Sequence, residues 1–321
     1  MPHDMIPTQH TVDTPYMVGP VHLYTLELES SFILIDTGPP TETGRAFLRE
    51  NIDLRRLTHV LVTHGHIDHY GQAGWLAENS DAVVYLPRLD IIKHEHHTER
   101  MRELFALIGE LGFGTTFVEL LCERFASSMV PLFPKRCSVA EDLPAELGIE
   151  VLGCPGHSQS DLVYAGHNWA VTGDILLRGV FQSPLLDVDL EKGGRFRNYD
   201  AYCGSIVRLA GLAQKKILPG HRTNVPSVAE TILFYVSKML QRLRILVPHL
   251  AKNTVAEVIR SVFPTMSDPF HIYLKSSEIL FMKDLLENPR RLASALQYIG
   301  LYEQVADVFE IVLEQGARLR N

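Results

Sequence analysis

Residues 62–71 read VTHGHIDHYG, and no other stretch limits the chain's fold as tightly. The three histidines and one aspartate follow LTHVLVTH (57–64), a valine- and leucine-rich run with the character of a buried strand. In an extended segment, residues two apart project to one side. His64 and His66 can therefore grip one ion, while Asp68 and His69, on the turn into the next helix, can face a second ion beside it. Neutral imidazoles and carboxylates suit zinc or a similar borderline cation. Any one histidine also has a plainer reading as a surface or core residue, so the cluster means little unless other segments supply partners.

Three other segments do so in the same form. CPGH sets His157 just after an apolar run at 149–152, VTGD sets Asp174 at the end of 169–173, and LPGH sets His221 at the end of 217–219. In each, a single polar residue follows an apolar run and a glycine lets the backbone turn sharply beside it. Seven ligand-type residues thus occupy one kind of topological position, the end of a strand.

The remaining pattern alternates strand and helix. VHLYTLEL (21–28) and SFILIDTG (31–38) predict a hairpin, and 41–51 predicts a helix capped by Thr41 or Thr43. A helix from Tyr70 and a strand at 82–87 follow, then strand signals resume at 148–157 and on both sides of Gly166-His167-Asn168. A helix at 198–213, a short strand at 215–221 and a long helix at 229–247, ended by Pro248, complete a main domain of residues 1–247. Between Arg88 and about residue 130, Met101, Leu104, Phe105, Ile108 and Leu111, then Phe117, Leu120, Leu121 and Phe125, recur at three and four. This is an inserted helical hairpin, either a lid or an oligomer contact. Met101, Phe105, Phe117 and Phe125 either wall the metal site or pack on the chain's own core or a partner subunit. Residues 248–321 are helical between breaks at Pro264, Pro269 and Pro289 and suggest a small separate module.

The order HxHxDH, His, Asp, His, preceded by IDTG (35–38), resembles the metallo-β-lactamase superfamily over residues 15–225. The resemblance implies an α+β fold, a four-layer αβ/βα sandwich with the site along one edge of two facing sheets. It implies a first metal on His64, His66 and His157, a second on Asp68, His69 and His221, and Asp174 bridging both. Asp36 would orient a ligand from behind; its plain alternative is an ordinary turn after a strand. The implied cofactor is a pair of divalent cations, zinc before iron or manganese, sharing a hydroxide that attacks an electrophilic centre. Asp68 would accept or relay the nucleophile's proton. Where the family often reads PGHG, this chain reads PGHR, so Arg222 either clamps a substrate anion or faces solvent.

Composition narrows the substrate less than the ligands narrow the chemistry. A formal charge of −8 disfavours nucleic acid as a partner. No run approaches a membrane span, and the amino terminus lacks a secretory pattern. Four cysteines without CxxC spacing agree with the cytoplasm. Lys192, Arg195 and Arg197 form a small basic loop that either meets an anionic tail or is merely solvated. KHEHHTER (93–100) reads as an exposed helix surface. The preferred expectation is a two-metal hydrolase of a small-molecule ester, thioester or lactone. A phosphodiesterase, a mononuclear iron enzyme of persulfide-dioxygenase type and a non-catalytic sensor are the alternatives. A homo-oligomer is left open.

Overall fold

Strand alternation sorts the apolar side chains into layers. In β3 (Phe32–Ile35), Ile33 and Ile35 point into one cluster while Leu34 points into another. Leu162 and Tyr164 of β8 (Leu162–Ala165) likewise face inward while Val163 and Ala165 face outward. A chain whose strands are apolar on both faces must bury both, and here each sheet lies between its partner sheet and a layer of helices. In this computed structural model, residues 5–126, 131–181, 183–250 and 253–320 are described. Residues 127–130 of the expected insertion, and residues 1–4, 182, 251–252 and 321 of the expected domains, lie outside them.

The first sheet runs β1-β2-β3-β4-β5-β6, with β1 (Thr8–Val12), β2 (Val21–Glu27), β4 (Leu57–Leu61), β5 (Val83–Leu86) and β6 (Ser138–Val139) beside β3. β1, β2 and β3 are antiparallel, and β3 to β6 run parallel. The second sheet runs β10-β9-β8-β7, adding β7 (Glu150–Gly153), β9 (Trp169–Gly173) and β10 (Lys216–Pro219). Tyr24, Leu61, Tyr164, Trp169 and Val171 fill the space between the sheets. The outer face of the first sheet packs on α1 (Glu42–Asn51) and α3 (Ala73–Asn79), with the single-turn α2 (Ile67–Tyr70) at its edge. Thr41 caps α1, its side chain accepting from Gly44 N. The second sheet packs on α7 (Asn198–Ala210) and α8 (Val228–Leu250). The sandwich is therefore of the αβ/βα kind.

The expected insertion forms α4 (Arg88–Glu95), α5 (His97–Glu110) and α6 (Thr115–Ala126). The carboxy-terminal part forms α9 (Val255–Val262), α10 (Pro269–Glu287), α11 (Pro289–Tyr298) and α12 (Ala306–Arg320). Leu104, Ile108 and Leu121 of the insertion share one buried cluster with α7, α8 and α9 to α12. Met101, Phe105, Phe117 and Phe125 pack against that cluster, so the insertion lies on the chain's own core. Pro248 does not stop α8, which continues to Leu250. A proline in a closing turn removes one hydrogen bond at a point where the helix is ending anyway. The strand expected through His64 ends at Leu61, because Thr63 N donates to the Asp36 carboxylate rather than to a neighbouring strand. Among the described residues, no helix is long and apolar enough to cross a membrane.

The shared cluster carries a prediction about residues 248–321. Leu285 of α10 is fully buried, and Leu285→Ala should cost about 2–5 kcal/mol in a denaturant titration of the full chain. Ending the chain at Leu250 should strip the cover from α7 and α8 and give aggregated protein on size-exclusion chromatography. A soluble, cooperatively unfolding truncated chain would show that the module is dispensable for folding.

Candidate metal centre

Asp36 follows β3, the 63–69 loop follows β4, His157 follows β7, Asp174 follows β9 and His221 follows β10. Strand ends at the same edge of both sheets thus deliver every one of these side chains to one place. The two sheets are tied together there by backbone hydrogen bonds, His22 N to Gly220 O at 2.7 Å and Leu162 N to Thr63 O at 2.9 Å.

The side chains meet in two adjoining groups. His66 Nδ1 lies 2.8 Å from His64 Nε2 and 2.9 Å from His157 Nε2. In the second group His221 Nε2 lies 3.2 Å from Asp68 Oδ2 and 3.6 Å from Asp174 Oδ1, which is 3.4 Å from His69 Nε2. The other Asp174 oxygen is 3.8 Å from His157 Nε2, so this carboxylate faces both groups.

These residues fit cations. His69 Nε2, His221 Nε2 and Asp174 Oδ1 are buried without hydrogen-bond partners, and each such group normally costs stability. They converge on one another, and one positive ion among them would satisfy all three. The sets His64–His66–His157, His64–His69–Asp174 and Asp68–His69–His221 each bring their donor atoms within 4.8 Å of one another. Burial, reinforced by neighbouring imidazoles, holds His64 and His66 well below the usual histidine range, and burial also lowers His157. They are therefore neutral at pH 7, the form that binds metal. Burial pushes the carboxyl groups of Asp68 and Asp174 upward, but the nearby His69 and His221 outweigh it and both stay ionised. Burial opposes a proton on His69, yet Asp36, Asp174 and Asp68 together raise it well above its ordinary value. A pocket that raises proton affinity through three carboxylates also attracts metal cations.

The rear nitrogens of the rings are anchored. His69 Nδ1 is 2.8 Å from Asp36 Oδ2, His157 Nδ1 2.7 Å from Ser183 O, His221 Nδ1 2.7 Å from Pro20 O and His64 Nδ1 3.1 Å from Thr63 Oγ1. Such contacts fix the tautomer and direct the opposite nitrogen at the ion. Asp36 also accepts from Thr63 N and Thr63 Oγ1, and holds a left-handed φ of +60° while doing so. Gly220 leaves room for the site, since a Cβ there would lie 2.6 Å from His69 Cε1 and 2.8 Å from Asp174 Oδ1.

A family model described as the metallo-beta-lactamase superfamily matches residues 16–221. The chain belongs to this superfamily. It is 26% identical over 297 residues to the probable metallo-hydrolase YqjP of Bacillus subtilis, covering 88% of this chain and 92% of that protein. The probable metallo-hydrolase YflN of the same organism is 24% identical over 255 residues, covering 69% of this chain and 87% of that one. Among solved structures, a metallo-beta-lactamase family protein from Thermus thermophilus aligns with TM-score 0.68 and 20% identity, covering 90% of this chain and 95% of its own. A beta-lactamase domain protein from Burkholderia ambifaria aligns with TM-score 0.71 and 18% identity, covering 88% and 91%.

All seven ligand-type residues singled out from the superfamily motif enter the two groups, and Asp36 stands behind His69. Arg222 is exposed, at φ +68°, and its carbonyl accepts from His22 Nε2 at 2.6 Å. A left-handed backbone explains why glycine suits this position in the superfamily. The basic loop is not free. Arg195 makes two bonds to Asp284, at 2.9 and 2.6 Å, and Arg197 pairs with Glu287 at 3.1 Å, while Lys192 is exposed. His94 stacks on Phe133, and His96 and His97 are exposed, but Lys93 of the same segment turns inward to Asp90. Sequence reasoning also missed Thr63 and the Pro20 and Ser183 carbonyls. Thr63 directly precedes HGHIDH and was visible; the carbonyls have no side-chain signal.

Two substitutions test the construction. Gly220→Ala forces His69 or Asp174 aside and should weaken metal binding about 10–100-fold in a chelator competition while circular dichroism stays native. Asp36→Asn keeps the shape but loses the carboxylate behind His69, and a loss in the same range is expected.

Proposed function

We propose that the chain is a metal-dependent hydrolase that uses two divalent cations, zinc before iron or manganese, to cleave a small-molecule ester, thioester or lactone. The observation that carries this reading is Asp174, whose two oxygens face different ligand groups and one of which is buried and unpartnered beside the equally unpartnered Nε2 atoms of His69 and His221. His64, His66 and His157 would hold one cation, and Asp68, His69 and His221 the other, with Asp174 between them. Bound divalent metals lower the pKa of water from 15.7 to about 7 and stabilise a developing oxyanion.

This chain's residues supply the rest. The Asp36, Ser183 and Pro20 contacts hold His69, His157 and His221 in orientation before a substrate arrives. Asp68 is buried and ionised, so its carboxylate can take the proton of the attacking water and return one to the leaving group. Burial, and after it the Asp68 carboxylate, raise the phenol of Tyr16, on the turn before β2, above its ordinary value. Four free cysteines agree with a reducing, cytoplasmic setting.

The test is a substrate panel of acyl thioesters, aryl esters, lactones and bis-aryl phosphates, assayed with metal analysis. Acyl substrates should turn over, chelator should abolish the activity and added zinc restore it. Asp68→Asn should lower kcat by about 10²–10⁴-fold. Cleavage of the phosphate alone would falsify the acyl reading, and oxygen uptake with a persulfide on an iron-loaded protein would replace hydrolysis altogether.

A further inference from the structure

The geometry points to the insertion and α10 as a joint clasp on the loop that carries His157, with Arg100, Asp187, Tyr273 and Ser277 as positioning residues for that imidazole. This rests on His157 being a metal-holding side chain, as proposed above.

The clasp closes through the segment 183–188. His157 Nδ1 is 2.7 Å from Ser183 O, and Leu185 N returns a hydrogen bond of 3.0 Å to His157 O. Where the imidazole points therefore depends on where this segment sits. Two elements outside the sandwich hold the segment. From α10, Tyr273 Oη donates to Leu186 O at 2.6 Å, and Ser277 Oγ accepts from Leu186 N at 2.9 Å. From α5, Arg100 makes a two-pronged pair with Asp187, Nε to Oδ1 at 2.7 Å and Nη2 to Oδ2 at 3.0 Å. The Asp187 carboxylate also accepts from Gln159 Nε2 at 3.1 Å, two residues past His157.

The insertion grips the same loop a second time. Lys93 Nζ donates to Ser158 Oγ at 3.3 Å and Ser160 Oγ at 3.1 Å, while Asp90 neutralises it at 2.8 Å. Every residue from His157 to Ser160 thus has a partner in the insertion or in the segment it shares with α10. A planar guanidinium on a mostly buried carboxylate fixes direction as well as distance. The added helices, on this inference, are neither a lid nor a docking face for their own sake. They make one ligand of the metal centre rigid.

Cobalt(II) titration of the full-length protein against a chromophoric chelator tests this. His157→Ala identifies which binding step and which visible absorption band belong to the His64–His66–His157 group. Asp187→Asn and Ser277→Ala should weaken that same step about 10–100-fold and shift its band, leaving the other step unchanged. Ser277→Ala removes a single hydroxyl, so a readable variant remains if Asp187→Asn fails to fold. Leu292→Ala, buried in α11 away from the loop, should lower Tm without moving either step. The clasp is overturned if Asp187→Asn and Ser277→Ala lower Tm but leave the His157-dependent step in place, or if both steps weaken equally. Should His157→Ala itself leave both steps intact, the metal reading of His157 is what has failed.

Discussion

The Asp36 carboxylate is the contact on which the metal centre depends. It sits fully buried at the end of β3, takes Thr63 N and Thr63 Oγ1 from the end of β4, and meets His69 Nδ1 from α2. An unpaired ionised carboxylate in that position would be prohibitively costly. Three donors offset the cost, and in doing so they set the path of the 63–69 loop. β4 stops at Leu61, His64 and His66 leave the sheet on one side, and Asp68 and His69 arrive from the next turn. The left-handed φ at Asp36 is the local strain accepted for this arrangement.

The second sheet answers with its own strand ends. His157, Asp174 and His221 come from three strands with no local reason to approach the 64–69 loop. What brings them there is the apolar layer between the sheets, with Tyr164 and Trp169 on one side and Tyr24 and Leu61 on the other. Tyr24 Oη to Pro219 O, at 2.6 Å, and Tyr164 Oη to Val62 O, at 2.8 Å, lock the register across the layers close to the site. Because side chains in a packed core cannot slide by half a residue, the ligand atoms inherit its precision. Gly220 completes the fit by leaving no Cβ between His69 and Asp174.

How much of this could be read in advance follows from how far each signal reaches. The HGHIDH cluster and the three Gly-flanked polar residues at strand ends are short-range patterns. They were legible because a strand end and a nearby glycine are both written locally. The layer order came only with the superfamily resemblance; strands apolar on both faces, as in FILI (32–35), agree with it. β1 was not legible, since TQHTV (8–12) is mostly polar and is a strand only through its pairing with β2. Lys93 looked solvated within a histidine-rich helix; its inward turn depends on Asp90, Ser158 and Ser160, the last two of which lie 65 and 67 residues away. Arg195 and Arg197 looked like free cations for the same reason, because Asp284, about ninety residues on, claims both. Tertiary pairing of charges has no local signature, which is why the site and Asp36 behind it were visible and the charged supports farther out were not.

The centre gathers three carboxylates and five imidazoles in a buried space, and their interactions do not cancel. His64, His66 and His157 stay neutral chiefly because burial disfavours their charged forms, while His69 is driven toward protonation by the acids around it. A chain folded for its own stability alone would replace such a cluster with apolar residues, since buried ionic groups seldom beat a hydrophobic substitute. Any cation that binds the folded form and not the unfolded one draws on this imbalance, satisfying the unpartnered nitrogens of His69 and His221 and the free oxygen of Asp174 together. Metal affinity and folding are then coupled through the same atoms. The burden of holding those atoms in place before the ion arrives falls on everything packed behind them, from the Asp36 turn to the α10 hydroxyls. Stability is thereby exchanged for a pocket whose unmet hydrogen-bonding capacity is aimed at a positive charge.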